Sequence, residues 1–132
     1  SKEVDKFTNT LTNAATESAE QSIPVFLSGI KKMTIRDAVS IVKNGGTGAT
    51  DYLRRTIGDS LRSAITPVMR TALNKYNVMQ AWEDMLGPAK PLLGNNSRLN
   101  LNIDNLLAGA VSLAMFKKIE EQEIAIRTRA EA

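Results

Sequence analysis

The groups able to do chemistry in this sequence are carboxylates, hydroxyls, lysines, arginines and two tyrosines, because it contains neither cysteine nor histidine. That absence removes disulfide frameworks, Cys/His zinc sites, thiol nucleophiles, Ser-His-Asp triads and imidazole bases. Three places bring the remaining groups together. Tyr52, Arg54, Arg55 and Thr56 set polar groups of catalytic type on just over one helical turn, yet the sequence places no carboxylate or second base to activate any of them. Glu120, Glu121 and Glu123, beside Lys117 and Lys118, would make half of a carboxylate metal site. The other half needs Glu-x-x-His elements, which cannot exist here. Gly45-Gly46-Thr47-Gly48 ahead of a helix invites comparison with a phosphate loop, but it lacks the Lys-Ser/Thr ending and follows a helix instead of a strand. In each place the structural reading outweighs the chemical one: a packed cluster, a solvated face, a helix cap with its turn. No catalytic residue, metal ligand or cofactor is therefore assigned.

A fourth place is apolar. Trp82, flanked by Met79 and Met85, lies on a short helix beside an irregular stretch. Adaptable surface of this kind is either core or the rim of a pocket.

The elements that position these residues are read from spacing. Val4, Phe7, Leu11, Ala14, Ala15 and Ala19 make one apolar stripe on an opening helix that Pro24 ends or restarts, followed by a short turn from Val25 to Lys32. Thr34 three residues ahead of Asp37 is a capping box with Asp in the Glu position, opening a helix that stops at Asn44-Gly45-Gly46. A helix restarts at Gly48. Ile57, Leu61, Ala64, Ile65, Val68, Ala72 and Tyr76 keep one angular phase across Pro67, with Arg55, Asp59, Arg62 and Arg70 on another, solvated side. One continuous helix bent near Pro67 is favoured, the alternative being a separate helix capped by Thr66. Asn77 caps a short helix through Trp82 to Leu86, closed by Gly87 and Pro88. Residues 87–102 are irregular, with Leu92, Leu93, Leu99 and Leu101 pinning them to the body. The last helix starts near Ile103, apolar nearly all round as far as Phe116, and Glu123 precedes Arg127 by four residues as a surface pair.

Composition agrees with one globular helical domain. The chain has 132 residues, 42% of them apolar and 23% charged, with 5% aromatic and four prolines. The net charge of +3 is uneven, since residues 31–75 hold nine basic residues against three acidic ones. A basic middle suits phosphate, anionic lipid or an acidic partner. Nucleic acid is disfavoured, because stacking aromatics beside the basic residues are nearly absent. The longest apolar run, Leu106 to Phe116, falls well short of the ~20 residues that span a bilayer, so no transmembrane segment is expected. The fold expected is an all-α, single-domain bundle of about six helices. The helix from Ile103 is expected at its centre, so that Leu113→Asp prevents folding.

The segments Ile30-Lys-Lys-Met-Thr-Ile-Arg-Asp-Ala38 and Ala49-Thr-Asp-Tyr-Leu-Arg-Arg-Thr56, followed by Leu61, resemble a bacterial domain-of-unknown-function family, the one numbered four-one-nine-seven. Met33, Thr34, Asp37, Ala38, Ala49, Thr50, Tyr52, Thr56 and Pro67 meet its pattern, and its closing Glu-x-x-Ile-Arg falls on Glu123, Ile126 and Arg127. The resemblance implies an envelope protein, since members of that family usually carry an export or lipoprotein signal, and no established activity. It also implies a trimmed chain, lacking an N-terminal segment and a short hydrophobic tail. The family's Asp-Gly-Leu-Phe is replaced here by Leu113-Ala-Met-Phe116.

Three functions follow as expectations. A non-catalytic interaction or scaffold module of the bacterial cell envelope, periplasmic and with a protein partner, is favoured. A binder of a lipid or other apolar small molecule comes next, and an enzyme using Tyr, Arg and carboxylate groups last. The candidate binding residues are Tyr52, Arg55, Thr56, Trp82, Glu123 and Arg127, with Thr34 and Asp37 as structural caps. The polar residues shared with the family are expected to be architectural, with Arg54 or Arg55 near Tyr52 or Glu123.

Overall fold

A computed structural model describes residues 1–93 and 101–131. Among these residues the chain is all α-helical in one domain: α1 (Lys2–Lys31), α2 (Ile35–Asn44), α3 (Gly48–Asn74), α4 (Val78–Leu86), a 3-10 helix (Gly87–Leu93) and α5 (Ile103–Glu131). This is five α-helices where about six were expected, because α1 runs straight through Pro24. Proline removes the bond to the carbonyl of Glu20, but Glu20 and Pro24 both lie on the exposed side, where water can take that carbonyl. On the opposite side Ala14, Ser18, Ser22 and Gly29 stay buried in one phase. Pro67 is passed in the same way, and α3 is continuous as expected.

The central helix is α3. Both α1 and α5 pack along it, antiparallel to it, and touch each other little. The Thr10 hydroxyl meets the Tyr76 hydroxyl at 3.2 Å at one end of α1, while Gly29 sits against Leu53 and Ile57 at the other. The expectation that α5 is central is overturned. Leu113 is 67% exposed and Leu106 also faces outward, whereas Ala108, Gly109, Ser112 and Phe116 are buried. The physical reason is shared by both flanking helices. Bulky side chains come from α3, where Leu53, Ile57, Leu61, Ile65, Met69 and Leu73 are buried, and α1 and α5 offer small residues that let the backbones approach. A Cβ added at Gly29 would lie 2.6 Å from Ile57 Cγ2. Ser18 and Ser22 enter this seam at little polar cost, because their hydroxyls donate to Ala14 O at 2.7 Å and Ala19 O at 2.6 Å. Ala15 and Ala19, read from spacing as part of the buried stripe, stand at its exposed edge.

Of the α3 arginines Arg55, Arg62 and Arg70 are exposed as expected and Arg54 is half-buried, but three of the four reach across to α5. Arg54 pairs with Glu120 at 2.7 Å, Arg62 lies across Gly109, and Arg70 pairs with Asp104 at 2.8 Å. At eight-residue spacing they run down the α3–α5 seam, and the Asp104 side chain is only 3% exposed.

The Thr34–Asp37 capping box forms as expected, with Asp37 N donating to Thr34 Oγ1 and Thr34 N to Asp37 Oδ2, both at 3.0 Å. Asn77 occupies the N-cap position of α4 in the left-handed region, but its side chain caps nothing; its carbonyl accepts from Ala81 N. The stretch expected to be irregular begins as the 3-10 helix, on which Leu92 is exposed and not pinned. Leu101 is half-buried, and Leu99 and the Leu93 side chain lie outside the described structure.

Candidate functional site

The first polar cluster is built where α5 crosses the start of α3. Glu123 Oε1 accepts from Thr50 N at 2.8 Å and from Thr50 Oγ1 at 2.7 Å, and Oε2 accepts from Ala49 N at 2.9 Å. Glu123 thus caps α3 from a distant helix, a role that Thr47 at the N-cap position leaves open because its hydroxyl donates to Asp51 instead. Arg127 donates to Glu123 Oε2 through Nε and an η nitrogen at 3.1 and 3.0 Å, and to Ile41 O of α2 at 2.9 Å. Burial pushes the Glu123 carboxyl up, but hydrogen bonds from Thr50, Ala49 and Arg127 outweigh it and hold the group below the usual carboxylate range. The pair expected on the surface is therefore a clip joining α2, α3 and α5. It also fills the anion position at the N-terminus of α3, so the Ala49 and Thr50 amides are not open to a phosphate. Arg54 takes Asp51 and Glu120, and neither Arg54 nor Arg55 meets Glu123.

On the other side of the α3 N-terminus an open cleft of about 370 Å³ lies against α2. Tyr52 and Arg55 line it together with Asp37, Ser40, Asn44 and Asp51. The Tyr52 ring packs on the core, but its hydroxyl makes no hydrogen bond among the described residues, and the Arg55 guanidinium makes none either. The Asp37 carboxyl is held low, first by the Thr34 backbone bond and then by the Thr34 hydroxyl, with the Arg55 charge adding to this. Thr56 does not join them: its hydroxyl donates to Tyr52 O at 2.8 Å and it lines a separate cleft with Pro24, Val25 and Ser60. The cleft thus collects Tyr52 and Arg55, while Glu123 and Arg127 belong to the clip. It sets one cationic side chain, Arg55, among the carboxylates of Asp37 and Asp51, without a base aimed at a nucleophile among the described residues.

Trp82 is half-buried and its indole N–H donates to Leu101 O at 2.6 Å, tying α4 to the segment ahead of α5. It borders none of the clefts described here; Met79 is half-buried and Met85 exposed.

The apolar openings lie elsewhere, along α5. One groove of about 450 Å³ runs between α1 and α5, lined by Ala15, Ala19, Phe26, Val111 and Met115. A second, of about 410 Å³, is lined by Val42 of α2, Ala49 of α3, and Ile119 and Ile126 of α5. They share Ile119. Beside them, α2 has no buried residue, and Ile35, Val39 and Val42 face outward, Ile35 at 85% and Val42 at 75% exposure. Sequence reasoning passed over this stripe, although its signal was present as aliphatic residues at i, i+4 and i+7 of a ten-residue helix.

The fold and these surfaces define an all-α domain with a small-residue seam, a half-buried carboxylate clip and an exposed aliphatic face. The whole chain, residues 1–132, matches the family described as Protein of unknown function (DUF4197), and the chain belongs to it. No curated protein and no solved structure matches it. Among the described residues no helix is long and apolar enough to cross a membrane.

Proposed function

We propose that this chain is a non-catalytic interaction module that works through the aliphatic face formed by α2 and α5. The observation that carries the reading is α2 itself, a strongly two-sided helix whose aliphatic side is not covered by its own domain. Bulky aliphatic groups left in water cost free energy that contact with an apolar partner recovers, at about 25 cal/mol per Å². The polar residues of the clip and of the α2 capping box already have partners, which supports an architectural role for Glu123, Arg127, Thr34 and Asp37. We put the module in the bacterial cell envelope, on its periplasmic side, a reading supported only by the family resemblance; fractionation of cells making the protein tests that part.

The test of the face is binding of the fluorescent probe 1-anilinonaphthalene-8-sulfonate by the folded chain. The expected result is probe binding at temperatures well below the melting transition, lowered in Val42→Ser and Ile126→Ser variants that melt like the wild type. A folded chain that binds no probe, or variants that bind it as the wild type does, would contradict the reading.

An apolar small molecule is the second reading. The α1–α5 groove favours it, because Phe26, Val111 and Met115 line a trough about the size of a small ligand site. Native mass spectrometry of the purified chain, showing or lacking a bound lipid-sized mass, distinguishes the two.

A further inference from the structure

We infer that the partner of the aliphatic face is the anionic surface of a lipid bilayer, with α2 lying flat in the headgroup region. This rests on the reading of that face as the working surface and adds the identity of what covers it. The charges around α2 select the occupant. Lys31 and Lys32 precede the helix, and Arg36 and Lys43 lie on it; all four are exposed, and none of their side chains makes an ion pair or hydrogen bond among the described residues. The one acidic residue of this stretch, Asp37, is turned into the cap on Thr34.

Helical geometry puts the cations where a membrane needs them. At 100° per residue Ile35, Val39 and Val42 fall within about 60° of each other, and Arg36 and Lys43 stand together at one flank of that stripe. An aliphatic stripe bordered by lysine and arginine is the arrangement of helices that rest in the interface, where the stripe enters the acyl boundary and the cations meet phosphate. Ile126 of α5 opens onto the same groove as Val42, which widens the apolar footprint beyond one short helix. An acidic protein face would also meet basic charges, but the aliphatic stripe with cations along its flank favours the bilayer. Here the rim next to the stripe is basic.

The test is flotation of the folded chain with vesicles of phosphatidylcholine alone or with a third of phosphatidylglycerol. The expected result is binding to the phosphatidylglycerol vesicles, weakened by salt and nearly absent with phosphatidylcholine. Val42→Ser is expected to lower binding about tenfold, and Lys43→Gln about fivefold. The chain has no cysteine, so a single fluorophore on Val42→Cys, with Ser63→Cys at an exposed position of α3 as the control, reports insertion directly. A blue shift at position 42 and none at 63 is expected, and this readout holds even where a charge variant alters stability. No flotation at low salt, with probe binding to the face intact, would overturn the membrane while leaving the interaction module standing. Self-association in sedimentation velocity that Val42→Ser abolishes, without vesicle binding, would assign the face to a second copy and also overturn it. Loss of both vesicle and probe binding would remove the underlying reading as well.

Discussion

Replacing Glu123 by Gln tests the clip that positions α2. Gln keeps an oxygen for the Thr50 amide and hydroxyl, but it brings an NH2 group to where Oε2 now accepts from Ala49 N and the Arg127 guanidinium. Donors then face donors at a carboxylate site only 10% exposed. Losing charge-assisted bonds and leaving the Ala49 amide and Arg127 poorly paired costs about 3 kcal/mol. For a domain of this size that lowers the melting temperature by about 10–15 °C. The sign with pH follows from the depressed carboxyl. A group lowered in the folded state adds stability that is complete above its unfolded value, near 4.5, and is lost as pH falls through the folded value. The gap between wild type and Glu123→Gln is therefore expected in full at neutral pH and to narrow as pH drops below 4.5. Chemical denaturation at a series of pH values measures it. A variant within about 0.5 kcal/mol of wild type at neutral pH, the scatter of ordinary surface changes, would refute the reasoning.

Other substitutions separate the seam from the surface. Leu113→Asp is expected to fold and melt within about 0.5 kcal/mol of wild type, as an exposed site allows, whereas Leu61→Ala, fully buried, is expected to cost about 2–5 kcal/mol in the same denaturation assay. Gly29→Ala forces its methyl against the buried, branched Ile57 and is expected to destabilise by about 1–3 kcal/mol. Gly109→Ala meets only the far end of the exposed Arg62 side chain, and the gain in helix propensity of about 1 kcal/mol leaves it neutral or slightly stabilising by calorimetry. Thr34→Ala is expected to lose about 1 kcal/mol with the capping box, measured by thermal melting.

The helix class, the capping box and the continuity of α3 past Pro67 were legible because each rests on local spacing. What was not legible depended on which face of a helix meets a neighbour. Hydrophobicity ranks Leu106 and Leu113 above Gly109 and Ser112, yet the close approach of α3 to α5 buries the small residues and leaves the leucines outside. Pro24 looked like a boundary because its cost is local, whereas the seam that offsets it is formed with α3. The Glu123–Arg127 spacing was visible, but the amides of Ala49 and Thr50 that define its role lie more than seventy residues away in the chain. Tyr52 and Arg55 do share an open cleft, though Thr56 and Glu123, grouped with them by type, point elsewhere.

Amide hydrogen exchange across α2, followed in the free chain and with phosphatidylglycerol vesicles, tests most directly that α2 is a lightly held helix presenting its aliphatic side outward. The expected result is faster exchange in α2 than in the core of α3 when free, and slowing confined to α2 and the neighbouring turn of α5 when vesicles are present. Exchange in free α2 as slow as in α3, or an α2 rate that vesicles leave unchanged, would contradict it.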